Sequence, residues 1–272
     1  MIPPIVASEW LLDHADVVVA DVRWYPDGRS GLAAYLEGHL PGAVFVDLDD
    51  SLSGAPAPAV GRHPLPDPEA FAHAMEQVGI GDRDTVVAYD DRGGIFAARL
   101  VFMLRITGHD AALLDGGLAA WPGTLERTPS APPAGSFTAV PWPAKRLATI
   151  DETAMHPGVL LDARPAGRFR GEPDPFDPRP GHIPGARSLP CRENLDSNGR
   201  FLPTEVLRAR FAEVGVEPGS AVVSYCGSGI TACHNLLALE YAGLGVGRLY
   251  PGSWSQWASL GERPVSTGEL PG

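Results

Sequence analysis

The sequence predicts an α/β protein that contains two copies of one unit, each a mainly parallel sheet flanked by helices. Short apolar runs, which are typical of buried parallel strands, recur along the chain, for example at 85–89 and 221–225. Amphipathic stretches of helical period stand between these runs, and such alternation is typical of a parallel sheet. The same ordered segments then return in the second half of the chain.

Each element is predicted from its own pattern. Apolar runs of strand length predict strands at 17–20, 44–47, 85–89, 111–114, 159–161 and 221–225. Apolar residues that share one face of a helix, such as Phe71 and Met75, predict helices at 68–78, 95–106 and 234–241. Residues 164–179 are rich in Pro and Gly, and this composition predicts a long loop.

The internal repeat divides the chain. Four segments return in order at a nearly constant offset: 21–23 at 162–164, 39–43 at 182–186, 85–89 at 221–225, and 115–121 at 251–257. Between the copies, prolines accumulate without sustained periodicity, which predicts a partly extended linker. We therefore predict a first domain at 1–123, a linker at 124–147 and a second domain at 148–272.

Composition limits the classes of function. The net charge of −12 over 272 residues argues against nucleic acid as a partner. No apolar run reaches the roughly 18 residues of a membrane span, and no basic segment followed by an apolar one predicts a signal peptide. The three cysteines are irregularly spaced, so we expect no disulfide framework and a reducing, cytoplasmic location. We expect no metal and no organic cofactor.

The strongest candidate for chemistry is Cys226, which directly follows the predicted strand 221–225. Two glycines, Gly227 and Gly229, then allow the backbone to curl around the sulfur, because glycine adopts positive φ readily. The helix behind this loop presents its amino end, where unsatisfied N–H groups and the helix dipole favour an anion. This placement favours a reactive thiolate, although a buried cysteine that only packs is the simpler alternative.

The other two cysteines and the first copy of the repeat are weaker candidates for chemistry than Cys226. Cys233 falls inside the predicted helix, where packing is expected, and Cys191 falls in a loop without a partner at metal-ligand spacing. When the copies are aligned, Asp90 takes the position of Cys226. We therefore predict that only the second copy is catalytic, at the carboxyl ends of its strands.

A thiolate among backbone donors can attack phosphorus, attack an acyl carbon or accept sulfur. A cysteine phosphatase needs an Arg six residues after the Cys to hold the phosphoryl oxygens, and that position is Ala232. Acyl transfer needs a paired base, which His39, His63 or His182 could provide if the fold brings one close, whereas His234 should point away from the loop. Sulfur acceptance needs only the thiolate, donors for a persulfide and cations for an anionic sulfur donor.

Candidate cations lie in the predicted loop 164–179. Arg168 is the first choice and Arg179 the second, since loops on a rigid scaffold often carry binding residues. The alternative is that these arginines are solvated at the surface.

Taken together, these motifs resemble the rhodanese (sulfurtransferase) family in its two-domain form. The similarity covers the doubled unit, both His-x-Pro-Gly-Ala segments, the Gly-Ser-Trp at 252–254 and the Cys226 loop. Within the family, Cys-Gly-Ser-Gly-x-Thr-Ala resembles the 3-mercaptopyruvate sulfurtransferase loop, whereas thiosulfate-specific members usually show Cys-Arg-Lys-Gly-x-Thr. The uncharged loop suits a monoanionic keto acid better than a dianion.

The resemblance implies roles for individual residues. Cys226 would carry the persulfide, and Ser228 would work with a His and an Asp of the first domain, among which His63, His39 and Asp27 remain candidates. Arg168 would bind the substrate carboxylate. The loop positions expected to surround the substrate are Gly227, Gly229, Ile230, Thr231 and Ala232.

One position departs from the family pattern. A second arginine usually follows the Glu-Pro-x-Pro segment directly, but here Phe176 stands there and the nearest arginine is Arg179.

The predicted function is transfer of sulfane sulfur from 3-mercaptopyruvate to a thiol, a thioredoxin-like reductant or cyanide. The alternatives are a thiosulfate sulfurtransferase and a non-enzymatic module that only carries persulfide.

Overall fold

The computed structural model describes residues 1–269, which form two compact units. The first unit comprises Met1–Gly54, Pro66–Trp142 and Ser197–Phe201, and the second comprises Ala55–Leu65, Pro143–Asp196 and the chain from Leu202 onward. Each unit therefore includes a short segment from the other half of the chain.

The first unit is a five-stranded sheet with helices. Its elements are β1 (Ile5–Val6), α1 (Ser8–Leu12), β2 (Val18–Asp21), α2 (Gly31–Glu37), β3 (Val44–Phe45), α3 (Leu48–Ser51), α4 (Pro68–Gln77), β4 (Val86–Tyr89), α5 (Ala98–Ile106) and β5 (Ala111–Leu114). The strand order is β1-β5-β4-β2-β3, and every pair is parallel. A 3-10 helix at Gly117–Ala120 follows β5.

The second unit repeats this architecture with four strands. Its elements are α6 (Ile150–Ala154), β6 (Val159–Asp162), α7 (Ala166–Arg170), β7 (Arg187–Ser188), α8 (Thr204–Glu213), β8 (Val222–Tyr225), α9 (Ala232–Tyr241), β9 (Arg248–Leu249) and α10 (Ser253–Ser259). The order is β7-β6-β8-β9, again all parallel. Short 3-10 helices occupy Ala144–Arg146 and Cys191–Asn194.

The Asp-x-Arg segments of the repeat form matching buried ion pairs. Arg23 Nη2 lies 2.6 Å from Asp21 Oδ2 in the first unit, and Arg164 Nη2 lies 2.6 Å from Asp162 Oδ2 in the second. Each guanidinium also donates to a main-chain carbonyl at 2.7 Å, that of Gly38 or Gly181. Both pairs are saturated within their own unit, so they fix the ends of β2 and β6.

The core of the second unit fixes the helix α10. Trp254 and Trp257 on this helix are fully buried among Tyr225, Tyr250 and Phe169. An aromatic side chain of this size buries about 150–250 Å², which is worth at most about 4–6 kcal/mol at about 25 cal/mol per Å². The amino end of α10 is therefore rigidly placed, and it carries serines that contact the Cys226 loop.

The α/β fold class with parallel sheets and the predicted strands is confirmed, with boundaries that shift by one or two residues. The prediction of a continuous loop over 164–179 is wrong, because α7 lies within it. The interpretation of 124–147 as linker overlooks its packing in the first unit: Glu126 pairs with His39, and the buried Phe137 contacts Phe71 with 5.6 Å between ring centroids. The domain boundaries themselves stay a prediction.

Candidate active site

Cys226 lies at the carboxyl end of β8, at the start of the loop that leads into α9. Its side chain is nearly buried, at 2% exposure, and the main-chain N–H of Gly229 donates to its Sγ at 3.1 Å. The loop thus folds back on the sulfur and offers it a hydrogen-bond donor, as the sequence predicted for this strand–loop–helix arrangement.

Gly229 is required by the shape of this loop. Its φ is +81°, in the left-handed region that favours glycine, and a Cβ here would lie 2.4 Å from the carbonyl oxygen of Pro251. Any side chain at 229 would have to displace main chain, so the turn around the sulfur depends on this position.

The segment before and within α10 holds the loop from the other side. The Cys226 N–H donates to Ser253 Oγ at 3.1 Å, and the N–H groups of Trp254 and Ser255 donate to the carbonyls of Cys226 and Gly227 at 2.9 and 2.8 Å. Ser253 adopts φ +52°, the positive value that a bend into α10 requires here. The sequence comparison aligned this Gly-Ser-Trp segment with the first copy but gave it no role; the structure shows that it anchors the loop.

His63 is the histidine that the structure brings to the loop. Its Nδ1 lies 2.8 Å from Ser228 Oγ within the second unit, to which the segment Ala55–Leu65 belongs. By contrast, His39 and His182 are fully buried, stack on Tyr35 and Phe169, and place Nδ1 on a carbonyl of the same aromatic residue at 2.7 and 2.8 Å. Each of those two histidines therefore has a structural role inside its own unit.

Asp27 is a predicted partner of Ser228, whereas Cys233 is expected only to pack within its helix. Asp27 is exposed in the first unit and pairs with Arg29 at 3.0 Å. Cys233 lies in α9, where its Sγ donates to the Gly229 carbonyl at 3.4 Å, so it supports the loop from behind. Ile230 and Ala232 are buried, and Thr231 is the N-cap residue of α9.

Cys191 is a neighbour of Cys226, and the sequence did not indicate this proximity. Burial, and secondarily an electrostatic interaction with Cys226, raise the pKa of Cys191 to about 12. Cys191 is therefore a neutral thiol near pH 7, and Cys226 is the better candidate nucleophile.

Arg168 lies on α7 and is held by a local carboxylate. Its Nε is 2.7 Å from Asp174 Oδ2, and its guanidinium lies 5.7 Å from the centroid of the Phe176 ring. Arg168 thus belongs to a charged cluster around Phe176. Phe176 stands at the position where the family pattern has its second arginine.

The guanidinium of Arg179 is directed at main-chain carbonyls. Its guanidinium donates to five main-chain carbonyls, among them those of Trp257, Ala258 and Leu260, at 2.7–2.9 Å. These contacts cap the carboxyl end of α10, where carbonyls lack helical partners. These contacts give Arg179 a structural role, and substrate binding by Arg179 stays a prediction.

Arg62 is the functional candidate that sequence reasoning missed. Its main-chain N–H donates to Ser255 Oγ at 3.0 Å, and its Nη1 pairs with Asp177 and donates to the carbonyl of Phe176 at 2.9 Å. A Cβ on Gly227 would lie 3.1 Å from Arg62 Nη2, so this nitrogen lies against the loop. The resemblance drew attention to His63, and nothing in the spacing linked Arg62 to a loop far along the chain.

The corresponding loop of the first unit carries a carboxylate. The side chain of Asp90 is buried and accepts main-chain N–H groups at 2.7–3.0 Å, those of Arg92, Gly94, Phe96 and Ala97. The loop after the central strand therefore gathers amide donors around an anion. In the first unit that anion is part of the protein.

Two further findings concern metal ions and membranes. Among residues 1–269, no group of three His, Cys, Asp or Glu side chains is arranged to hold a metal ion. Over the same residues, no helix is both long and apolar enough to cross a membrane.

Comparison with known proteins identifies the family. The model of the rhodanese-like domain matches residues 7–124 and again 144–260. The chain therefore belongs to the rhodanese family of sulfurtransferases.

The relatives are named after two different sulfur donors, 3-mercaptopyruvate and thiosulfate. A probable 3-mercaptopyruvate sulfurtransferase of Pseudomonas aeruginosa is 45% identical over 269 residues, covering 95% of each chain. A Mycobacterium tuberculosis protein named as a thiosulfate sulfurtransferase is 41% identical over 260 residues, covering 93% of this chain and 91% of that one. The crystal structure of the Escherichia coli 3-mercaptopyruvate sulfotransferase SseA matches with a TM-score of 0.82 and 34% identity, covering 93% of this chain and 99% of that one.

Proposed function

We propose that this chain transfers the sulfane sulfur of 3-mercaptopyruvate to a thiol, a thioredoxin-like reductant or cyanide, through a persulfide on Cys226. The observation that carries the proposal is the placement of Cys226 Sγ within the loop, with the Gly229 N–H at 3.1 Å and the Ser228–His63 pair beside it. The names of the relatives in Pseudomonas aeruginosa and Escherichia coli support the choice of donor.

The chemistry balances without another reactant. The Cys226 thiolate attacks the substrate sulfur, an S–S bond forms, and the C3–S bond breaks with its electron pair moving into the enolate of pyruvate. The proton that leaves the transferred sulfur neutralises the enolate, so thiolate and substrate become persulfide anion and pyruvate. An acceptor thiolate or cyanide then attacks the outer sulfur and releases the Cys226 thiolate.

Ser228 and His63 have a defined part in this sequence. The hydroxyl and the imidazole are hydrogen-bonded at 2.8 Å, so they can pass a proton to the enolate as the C3–S bond breaks. Arg168 supplies a cation for the substrate carboxylate, and a guanidinium binds a carboxylate with two parallel hydrogen bonds. The residues of the loop at 227–232, including Gly227, surround the reacting sulfur.

Thiosulfate remains the second candidate donor, because the Mycobacterium tuberculosis relative bears that name. Sulfite is a stable leaving group that needs no proton, so the Ser228–His63 pair has no task with this donor. The pair therefore favours the keto acid.

The test compares initial rates with 3-mercaptopyruvate and with thiosulfate on one preparation, with cyanide as acceptor. A higher kcat/KM for 3-mercaptopyruvate is expected. Cys226→Ser should abolish turnover and the mass gain of one sulfur atom, whereas Cys233→Ser, a matched change in α9, should retain both. Turnover by the Cys226→Ser protein would refute the mechanism, and stoichiometric loading without turnover would identify a carrier module.

We also propose that the catalytic domain of 148–272 depends on the first half of the chain. Arg62 and His63 lie within 1–123 but pack in the second unit. A fragment that begins at 148 should therefore lack the proton relay. The cytoplasmic location stays a prediction, and cell fractionation would test it.

A further inference from the structure

We propose that Arg62 is the second guanidinium of the substrate-carboxylate site and replaces the arginine that the family pattern places at position 176. This inference rests on the function proposed above and names a residue that sets its affinity for the donor. It follows from the geometry of one cluster within the second unit, formed by Arg62, Arg168, Phe176, Asp174 and Asp177.

The two arginines flank one aromatic ring. The guanidinium carbons of Arg62 and Arg168 lie 5.8 and 5.7 Å from the centroid of Phe176. Since Phe176 stands where the family usually has an arginine, both charges surround the place from which that missing arginine would act. A cationic side chain in contact with an aromatic face is also held in position by it.

The nitrogens of Arg62 have different partners. Nη1 is anchored to Asp177 and to the Phe176 carbonyl, whereas Nη2 lies against Gly227 in the Cys226 loop. The anchoring fixes the plane of the guanidinium and leaves Nη2 at the loop. This side chain therefore delivers a charged donor to the residue next to the reactive sulfur.

The position of Nη2 also revises the view that the loop lacks charge. Thiosulfate-specific members of the family usually have an arginine at the position of Gly227. Here Arg62 Nη2 borders the space into which a Gly227 side chain would extend, because a Cβ would lie 3.1 Å from it. The chain thus supplies by Arg62 a cation at a place where its own loop sequence supplies none.

The main chain of Arg62 is held as firmly as its side chain. Its N–H donates to Ser255 Oγ, and the Ser255 N–H donates to the Gly227 carbonyl at 2.8 Å. A Cβ on the preceding residue, Gly61, would lie 2.6 Å from the Gly252 carbonyl oxygen, so the two segments are in close contact. Arg62 and the loop therefore keep a fixed spacing.

Asp177 engages one nitrogen of the Arg62 guanidinium. The Asp177 side chain is buried, and its Oδ2 has no hydrogen-bond partner. Burial raises the pKa of Asp177, against the lowering effect of Arg62, and the nearby charge of Asp174 raises it further. Asp177 therefore contacts Nη1 of Arg62 through Oδ1, while its Oδ2 makes no hydrogen bond to the guanidinium.

The kinetic test uses Arg62→Ala in the full chain. Loss of one charged donor to a carboxylate should raise the KM for 3-mercaptopyruvate about tenfold to a hundredfold, with kcat changed less than about threefold. The matched control is Arg170→Ala, which removes the same charge from a half-exposed arginine paired with Glu172. Adding Phe176→Arg to Arg62→Ala should restore the KM to within about threefold, which a purely structural role of Arg62 would not allow.

A second readout does not require turnover. Iodoacetate and iodoacetamide alkylate the same thiol, but only iodoacetate is an anion. Arg62→Ala should lower the ratio of iodoacetate to iodoacetamide rates at Cys226 by about tenfold, and Arg170→Ala should leave it unchanged.

The two failures are distinguishable. If the wild-type protein turns over 3-mercaptopyruvate and Arg62→Ala changes neither KM nor the alkylation ratio, the inference is overturned and the function stands. If the wild-type protein does not use 3-mercaptopyruvate, the proposed function fails, and the alkylation ratio alone decides whether Arg62 binds anions beside Cys226.

Discussion

Replacing Asp90 by alanine should strongly destabilise the first unit. Its carboxylate accepts N–H groups from Arg92, Gly94, Phe96 and Ala97, and the side chain is fully buried. Alanine would leave these donors without their acceptor, and the backbone of the loop cannot turn them towards bulk water without unfolding locally.

The expected magnitude follows from the number of donors. Each buried N–H that loses its partner costs about 1–3 kcal/mol, and water entering the space recovers part of this. Burial raises the pKa of Asp90, against the effect of the donors, so the carboxylate itself carries a desolvation cost that the alanine variant avoids. The net loss should be about 3–5 kcal/mol, as when one partner of a buried charge is removed.

Thermal unfolding measures this loss. At about 2–4 °C per kcal/mol, the transition of the first unit should fall by about 10 °C. Asp16→Ala, at an exposed position of the same unit, should shift it by less than about 2 °C. Asp90→Asn should fall between the two, because the amide oxygen accepts while its NH₂ group faces other donors. Equal transitions for Asp90→Ala and Asp16→Ala would refute the view that the carboxylate holds this loop together.

Three further predictions concern the second unit. Gly229→Ala should reduce kcat/KM more than a hundredfold, which corresponds to about 3 kcal/mol or more of lost transition-state stabilisation. Gly185→Ala, at φ +83° with open space around it, should retain activity. Similar rates for the two variants would contradict the steric argument. Ser228→Ala should lower the kcat with 3-mercaptopyruvate more than that with thiosulfate, and equal losses would remove the proton relay. A hydrogen bond from the Thr149 N–H holds the pKa of Glu152 at about 2, below its ordinary value. The ionised Glu152 therefore stabilises the fold above its ordinary pKa, and this stabilisation is lost as the pH falls towards about 2. The difference in Tm between wild type and Glu152→Gln should therefore shrink between about pH 5 and pH 2, and a constant difference would argue against it.

The parts of the fold that could be predicted are those specified by local pattern. Strands buried on both faces appear as apolar runs, so β4 and β8 were evident in the sequence. The helix α7 was missed because Pro165 and Gly171, which bound it, also favour loops. Its five residues leave little room for a helical period to be recognised.

The site could be predicted only where its residues are adjacent in sequence. The Cys226 loop is continuous, and its Cys and Gly spacing is informative by itself. The contact of His63 with Ser228 joins residues 165 apart, and no periodicity encodes it. The sequence therefore left His39 and His63 as equal candidates, and only burial and stacking separate them. The same distance concealed Arg62, which becomes recognisable once Phe176 is known to lie beside it.

The Asp90 loop after β4 and the Cys226 loop after β8 can be compared atom by atom. In Asp90 the atoms beyond Cβ are a carbon and then an anionic oxygen. In a persulfide on Cys226 they are a sulfur and then an anionic sulfur. The anion therefore stands two bonds beyond Cβ in both cases, and the Asp90 oxygens show where amide donors converge around such an anion. The free thiol of Cys226 is one atom shorter and has a hydrogen bond from Gly229 at 3.1 Å. We therefore expect the loop after β8 to bind the sulfur-loaded state more tightly than the free thiol, a difference that would favour sulfur uptake from the donor.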